Sequence, residues 1–448
     1  MRRFTRGYTF KVLLLVLLVL LLLIPLSMIR GLVNERGRTA ASAESDIMEA
    51  WGKELIQAGP IITIPGVKTE EIITRTEKDG ERVEIVKTPF TLVISPKTLN
   101  IDAVFKTEIR RRGIFSVPLF SGTLTLGGSF DPAAAIAALL PQEAISTDQA
   151  ELVIALSSQK GIRKINASSW GDGELFFQPG NQGHNLFGYG PRSSGGGVNA
   201  ALPPLMADGE TNFNISIEIQ GGQLIRVLPV AQDTHVRIAS DWPSPSFQGA
   251  FLPAESKIAD TGFSASWDIS YLSRDIPLFL KNYNDNYYGY DNSLFGLDFF
   301  RSIDTYSLNT RAVKYAVLFL IVPFLTLFLL EIFTKKRIHP VPYLLSGIGN
   351  AVFYLLLLSL SEQIPFYAAY LIAALAVTVL LTLYSRSLLP SWDKSWYMGL
   401  VVTISYILLY AVLNAESYAL LIGSIGTFFV IALVMFLTRR LEWYAQED

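Results

Sequence analysis

Val12-Leu13-Leu14-Leu15-Val16-Leu17-Leu18-Val19-Leu20-Leu21-Leu22-Leu23-Ile24 is an unbroken aliphatic run, extended by Pro25-Leu26-Ser27-Met28-Ile29. About 20 apolar residues rising ~1.5 Å each cross a hydrocarbon core of ~30 Å. Arg2, Arg3, Arg6 and Lys11 precede the run, which keeps that end cytoplasmic under the positive-inside rule. A cleaved signal peptide is the rival reading. The first small-residue cleavage candidate, Ala41-Ser42-Ala43, lies well past the apolar core, with Arg30, Arg36 and Arg38 between, so the run reads as an uncleaved anchor.

No second run of this kind appears until the last third of the 448-residue chain. There five spans are predicted, at about 313–332, 342–360, 366–384, 397–413 and 419–437. Their loops alternate in charge. Lys335, Lys336 and Arg337 fill the first, Arg386 and Lys394 the third, and Arg439 with Arg440 follows the last. The second loop holds the acid Glu362 and the fourth Glu416, so every short loop obeys the charge rule. Trp392, Trp396, Tyr397, Trp443 and Tyr444 sit at the cytoplasmic edges, as interfacial aromatics do. The expectation is an integral membrane α-helical bundle of six spans with both termini cytoplasmic. Residues 1–30 hold the cytoplasmic N-terminus and first span, 31–311 a large external domain inserted between spans one and two, 312–438 the five-helix bundle and 439–448 a cytoplasmic tail. Arg30, Arg311 and Lys314 fall on the outer side against the rule. Long translocated domains escape it, and such side chains snorkel to headgroups, a reading favoured over a functional cation site.

The external domain reads as mainly β, sandwich-like, with some helix. Ser42 to Gln57 has helical spacing (Ile47, Ala50, Trp51, Leu55), with Gly59-Pro60 expected to end it. Ile61–Ile64 is read as a short buried strand. Ile101, Ala103 and Phe105 alternate with Asp102, Val104 and Lys106, and further strands are expected at Thr91–Ile94, Gly122–Leu126, Leu152–Leu156, Phe213–Gln220, Leu224–Val230, His235–Ala239 and Phe263–Ile269. Gly221-Gly222 reads as a hairpin turn and Ala133–Leu140 as a short helix opened by Asp131-Pro132. Such spacing implies an antiparallel sandwich or two stacked sheets. Two loops differ from the rest, the glycine-rich Gly171–Gly197 and the Tyr/Asn-rich Asn282–Ser293. Tyrosine with asparagine suits carbohydrate or peptide contacts, though plain exposed loops share that composition more often.

Several chemistries are absent. The chain has no cysteine, so disulfides and thiolate chemistry are excluded. Its three histidines, His184, His235 and His339, have no ligand spacing, and a formal charge of −2 gives no footing for nucleic acid. No Gly-x-Ser-x-Gly elbow, phosphate loop or His-Glu-x-x-His helix occurs, and nothing requires a cofactor. Spans three to six contain no Asp, Glu, Lys, Arg or His, unlike most ion-coupled transporters. Glu331 and Lys314 stand near the ends of span two. The polar interior candidates are Ser346, Asn350, Ser359, Thr403, Ser405, Ser424 and Thr427.

Gly59-Pro60-Ile61-Ile62-Thr63-Ile64-Pro65, Ser240-Asp241-Trp242-Pro243-Ser244-Pro245-Ser246-Phe247, Asp304-Thr305-Tyr306, Arg311-Ala312-Val313-Lys314-Tyr315-Ala316, Arg337-Ile338-His339-Pro340, Leu358-Ser359-Leu360-Ser361-Glu362 and Thr438-Arg439-Arg440-Leu441-Glu442-Trp443-Tyr444 together carry a resemblance. The chain resembles the CreD family of bacterial inner-membrane proteins. The likeness runs from the first span to the C-terminus and is strongest from Ser240 onward. It implies an inner-membrane location and a role in envelope maintenance or envelope-stress and β-lactam responses, and it implies no established catalytic residue or cofactor. Within these blocks, Trp242 and Phe247 are read first as aromatic anchors of an irregular crossing and second as a partner-docking pair. His339-Pro340 is expected to end a cytoplasmic turn and Glu362 to be a solvated loop acid; pH sensing by the first and coupling to the external domain by the second are the functional readings. Candidate interaction or coupling residues are therefore Trp242, Phe247, Tyr306, Arg311, His339, Asn350 and Glu362. The expected partners are the lipid bilayer and an envelope protein or glycan met by the periplasmic loops. A transporter or lipid-handling protein is the alternative, and an envelope-glycan hydrolase the second alternative.

Overall fold

One helix, α1 (Tyr8–Trp51), carries the first apolar run and continues far beyond it. The computed structural model describes residues 8–76, 80–180, 196–205, 209–282, 290–299, 305–334, 336–388, 392–415 and 419–439. The expected break between an anchor and a separate helix at 42–57 does not exist. Between Arg30 and Ala41 there is no proline, and Glu35, Arg36 and Arg38 are good helix formers, so the charged stretch stays helical. The helix stops at Gly52 and Lys53, whose φ values are +129° and +58° and whose N–H groups both donate to Met48 O. Gly59-Pro60 lies inside the following strand, where pairing is irregular between Ala58 and Ile61, and ends no helix.

β1 (Leu55–Thr76), β2 (Gly80–Ile94), β3 (Thr98–Arg112) and β4 (Phe115–Phe130) come next. The short helix α2 (Ala133–Ala137) leads to β5 (Glu143–Ile145), β6 (Glu151–Leu156), β7 (Ile162–Trp170), β8 (Gly173–Glu174) and β9 (Phe177–Pro179). The described strands end with β10 (Gly196–Ala201), β11 (Thr211–Gly222), β12 (Leu224–Leu228), β13 (Asp233–Ser240), β14 (Pro245–Gly249), β15 (Glu255–Ala259), β16 (Gly262–Ser270), β17 (Phe279–Asn282) and β18 (Phe295–Phe299). They form two sheets. One runs β14-β18-β12-β1-β6-β10-β9, with β2 and β5 also on β1 and β17 on β2; the other runs β15-β16-β13-β3-β4-β11-β7-β8. Pairing is antiparallel except at β1/β12 and β3/β13. Gly221-Gly222 is therefore no hairpin turn, since β11 and β12 belong to different sheets. A side chain at Gly221 would strike the Phe120 ring at 2.6 Å, so the glycine serves close packing where the chain changes sheets.

The period-two pattern explains the core. Leu99, Ile101, Ala103 and Phe105 on β3, Ile215, Ile217 and Ile219 on β11, and Val236 and Ile238 on β13 are buried between half-buried or exposed neighbours. They meet Ile62, Leu92, Leu152 and Leu297 of the other sheet in one cluster. Trp267 with Phe295 (5.6 Å between ring centroids) and Phe120 with Phe299 (5.0 Å) join the two faces. Each such buried side chain is worth roughly 1.5–3 kcal/mol, which is why a domain of short connections holds together without disulfides.

The helical part continues with α3 (Thr305–Thr334), α4 (Pro340–Ser361), α5 (Phe366–Leu388), α6 (Trp392–Asn414) and α7 (Ala419–Thr438). Helices α3, α4, α5 and α6 close a ring, each packing on two others, and α7 packs on α6. Among the described residues, five helices, α1 and α3 to α6, are long and apolar enough to cross a membrane. Their outward stripes, such as Leu371, Leu375 and Val379 on α5, are exposed and offer the apolar surface that lipid covers. The chain thus divides into two compact units, residues 42–302 and residues 1–41 with 303–448.

Candidate functional site

Three polar centres lie within the helical unit. At one end, Glu362 caps the C-terminus of α4. Arg36 of α1 donates to it twice, Nε to Oε1 at 2.7 Å and Nη2 to Oε2 at 2.8 Å, and the Tyr306 hydroxyl of α3 donates to Oε1 at 3.1 Å. Beside them Asn309 Nδ2 donates to Ser361 Oγ and to Thr305 O, both at 2.9 Å. Glu362 is no solvated loop acid, as its side chain is only 12% exposed. Planar guanidinium and carboxylate in this fork geometry form the strong class of ion pair.

At the other end, Glu331 of α3 is buried with Lys11 of α1. The Lys11 ammonium also donates to Ile338 O at 2.8 Å and lies 5.3 Å from the centre of the Tyr343 ring, while the Tyr343 hydroxyl donates to Glu331 Oε2 at 2.8 Å. Glu331, placed by the sequence near the end of span two, is buried in the bundle with a charged partner. Lys11 reads in the sequence as a topology signal, and its partner is 320 residues away in the chain.

Between the two ends, Asn350 sits on α4 inside the ring. Its Nδ2 donates to Phe319 O at 3.1 Å and its Oδ1 accepts from the Tyr406 hydroxyl at 2.7 Å. The Tyr370 hydroxyl reaches Tyr406 O at 2.6 Å. Ser346 and Tyr354, one turn to either side of Asn350 on α4, are buried, and their hydroxyls have no hydrogen-bond partner among the described residues.

The structure therefore brings Tyr306 and Glu362 together and keeps Asn350 apart in the ring interior. Arg311 lies further along α3, half-buried. His339 caps the N-terminus of α4, its Nδ1 accepting from Val341 N at 3.4 Å, with Pro340 at the first helical position. In the β unit, Trp242 donates through Nε1 to Ser244 O at 3.1 Å and sets its ring edge-on to Phe299 at 6.3 Å. Phe247 lies edge-on to Phe263 and Trp267. Both are half-buried against the core, so their aromatic faces anchor strands. The loop candidates at 182–197 and 282–293 fall for the most part outside the described residues. Among the described residues no cluster of three or more His, Cys, Asp or Glu side chains has metal-binding proximity.

With this geometry in view, the comparisons are direct. The family model "Inner membrane protein CreD" matches residues 7–444. The inner membrane protein CreD of Escherichia coli (strain K12) is 30% identical over 429 residues, covering 94% of this chain and 91% of that protein.

Proposed function

The chain belongs to the CreD family of inner-membrane proteins, and from that membership we propose a non-enzymatic, six-span protein that supports cell-envelope integrity or the envelope-stress response. In this reading α7 is the sixth span, both termini are cytoplasmic, and the β unit lies in the periplasm as the sensing or interaction module. The observation that carries it is the pair of ionic centres holding α1. Lys11 and Arg36 are 25 residues apart on one helix, about 38 Å at ~1.5 Å per residue. That span exceeds a hydrocarbon core of ~30 Å by roughly a headgroup depth at each end, which supports α1 as a membrane helix integral to the bundle. The non-enzymatic reading rests on a sequence without catalytic motifs and on a family described by location rather than reaction.

The test is complementation of a strain lacking the protein, scored as survival under envelope stress. The full chain should restore robustness and a chain without residues 42–302 should not. Full restoration by the shortened chain would remove the sensing role from the β unit. The alternative, a transporter or lipid-handling protein, draws on Asn350 and the two unpartnered hydroxyls inside the ring. It requires that Asn350→Leu abolish function while the protein still inserts. Normal complementation by that variant would count against transport. A glycan hydrolase, the second alternative, requires that the purified protein alter isolated cell-wall material.

A further inference from the structure

Two contacts set the register between α1 and α3. Lys11 pairs with Glu331, and Gly37 lies against Tyr306, whose Cβ is 3.8 Å from where a side chain at 37 would begin. The helices therefore run antiparallel. Counting six residues back from Arg36 and five onward from Tyr306 brings Arg30 and Arg311 to one level, with Lys314 a turn deeper. Arg30 and Lys314 thus lie within about a turn of one level on adjacent helices, just inside the Arg36–Glu362 centre, while Arg311, five positions from Tyr306, is turned about 140° around α3 from the α1 contact.

Their surroundings are apolar and open to lipid. Lys314 is exposed and continues the stripe of Val317 and Ile321, which are 45% and 42% exposed. Arg30 is exposed although Leu26 and Val33, a turn to either side, are buried in the bundle. Neither Arg30 nor Lys314 has an ion-pair partner among the described residues. Among the described residues, Glu362 at this end is taken by Arg36 and Tyr306. Glu35 is five positions from Arg30, about 140° around the helix at ~100° per residue. If the two ionic centres straddle the bilayer evenly, Arg30 and Lys314 start roughly 5–8 Å inside the hydrocarbon edge. From there they extend toward the headgroup phosphates.

Snorkelling accounts for one such side chain. Two with no carboxylate partner among the described residues, on adjoining helices, call for a shared counter-charge. We propose that Arg30 and Lys314 form a binding site for the phosphate of an anionic phospholipid. The site lies in the leaflet at the Arg36–Glu362 end, which is the outer leaflet on the six-span reading. Basic seams between membrane helices recognise lipid headgroups by this chemistry. It also gives a physical reason for cations on the side that the positive-inside rule leaves poor in them.

The experiment is native mass spectrometry of the full-length protein released from mixed phosphatidylglycerol and phosphatidylcholine nanodiscs. The wild type should retain phosphatidylglycerol with a preference of about tenfold or more, given ~1 kcal/mol per basic residue. R30Q/K314Q should lower the preference toward unity, R30K/K314R should keep it, and K336Q/R337Q at the opposite end should leave it unchanged. A preference untouched by R30Q/K314Q, or lost equally in K336Q/R337Q, overturns the proposal. So does a folded R30K/K314R protein that loses it. Displacement of the lipid by inorganic phosphate would assign the site to a soluble anion instead. The readout does not depend on which compartment that end faces, so its failure and a failure of the topology are distinguishable.

Discussion

Arg36 holds Glu362 through two hydrogen bonds of 2.7 and 2.8 Å, and the same register recurs along α4 and the Lys11–Arg36 part of α1. Leu22 packs against Gly347, where a side chain would meet it at 2.2 Å, and Lys11 reaches Ile338 O. The two helices run parallel with a constant offset, so α1 is a fixed member of the bundle. Asn350 lies halfway between Ile338 and Glu362, at the middle of the ring.

Glu362→Gln should leave the bundle folded but weaker. The pair is half-buried and bidentate, between the near-zero worth of exposed pairs and the 3–5 kcal/mol lost when a buried pair is broken. A loss of about 1–2 kcal/mol is expected in detergent-solubilised thermal unfolding. The exchanged pair Arg36→Glu with Glu362→Arg should recover part of it. An unchanged melting temperature in Glu362→Gln would show that the contact does not hold α1.

Glu331→Ala should cost more, about 3–5 kcal/mol, because it strands the Lys11 ammonium in the bundle. The double variant Lys11→Met/Glu331→Leu removes both charges at similar volume and should unfold closer to wild type than either single variant. Additive losses in that double-mutant cycle would mean that the two residues act independently.

The sequence made the elements legible where pattern is local. The spans expected at 342–360 and 366–384 lie within α4 and α5, and strict alternation located β3, β11 and β13. Elsewhere local signals misled. The end of the apolar run at Ile29 reads as the end of a helix, with a second starting at Ser42, although nothing between them breaks it, and Gly59-Pro60 reads as a stop, although a long strand accommodates it. The candidate site was half visible. Tyr306 and Glu362 were singled out separately, but the residue that unites them, Arg36, is 326 positions from Glu362, and only the register of α1 on α4 reveals it. Glu331 stands out in the sequence only as a charge near a span end, because its partner Lys11 is 320 positions away.

Tyr354→Phe should stabilise the bundle. Its hydroxyl is buried without a partner among the described residues, and an unsatisfied polar group costs about 1–3 kcal/mol. Tyr406→Phe should do the opposite, since it orphans Asn350 Oδ1, by a similar ~1–3 kcal/mol. Unfolding of both variants under one condition decides the matter. A destabilised Tyr354→Phe would reveal an unseen partner such as an ordered water.

In the β unit, Lys97 donates to Glu210 at 2.6 Å, and this hydrogen bond holds the Glu210 carboxyl below the usual carboxylate range. A depressed folded-state pKa adds stability above the unfolded value, and that contribution disappears as pH falls through the folded one. The melting temperature of Glu210→Gln should therefore lie below wild type at neutral pH, by a small margin because the pair is exposed. The gap should close as acid titrates Glu210. A gap that persists below that range would assign the effect to packing.

The six-span topology makes a sharper demand on α7. Reporters fused after Arg337 and after Arg440 should report one compartment, and a reporter after Glu416 the other. α7 has the length for this, 20 residues from Ala419 to Thr438, or about 30 Å. Its exposed Phe428, Phe429, Ile431 and Met435 give it the apolar surface of a lipid-facing helix. If the reporters after Glu416 and Arg440 agree, α7 lies along the interface, five spans remain, and the C-terminus shares a compartment with the residue-416 loop.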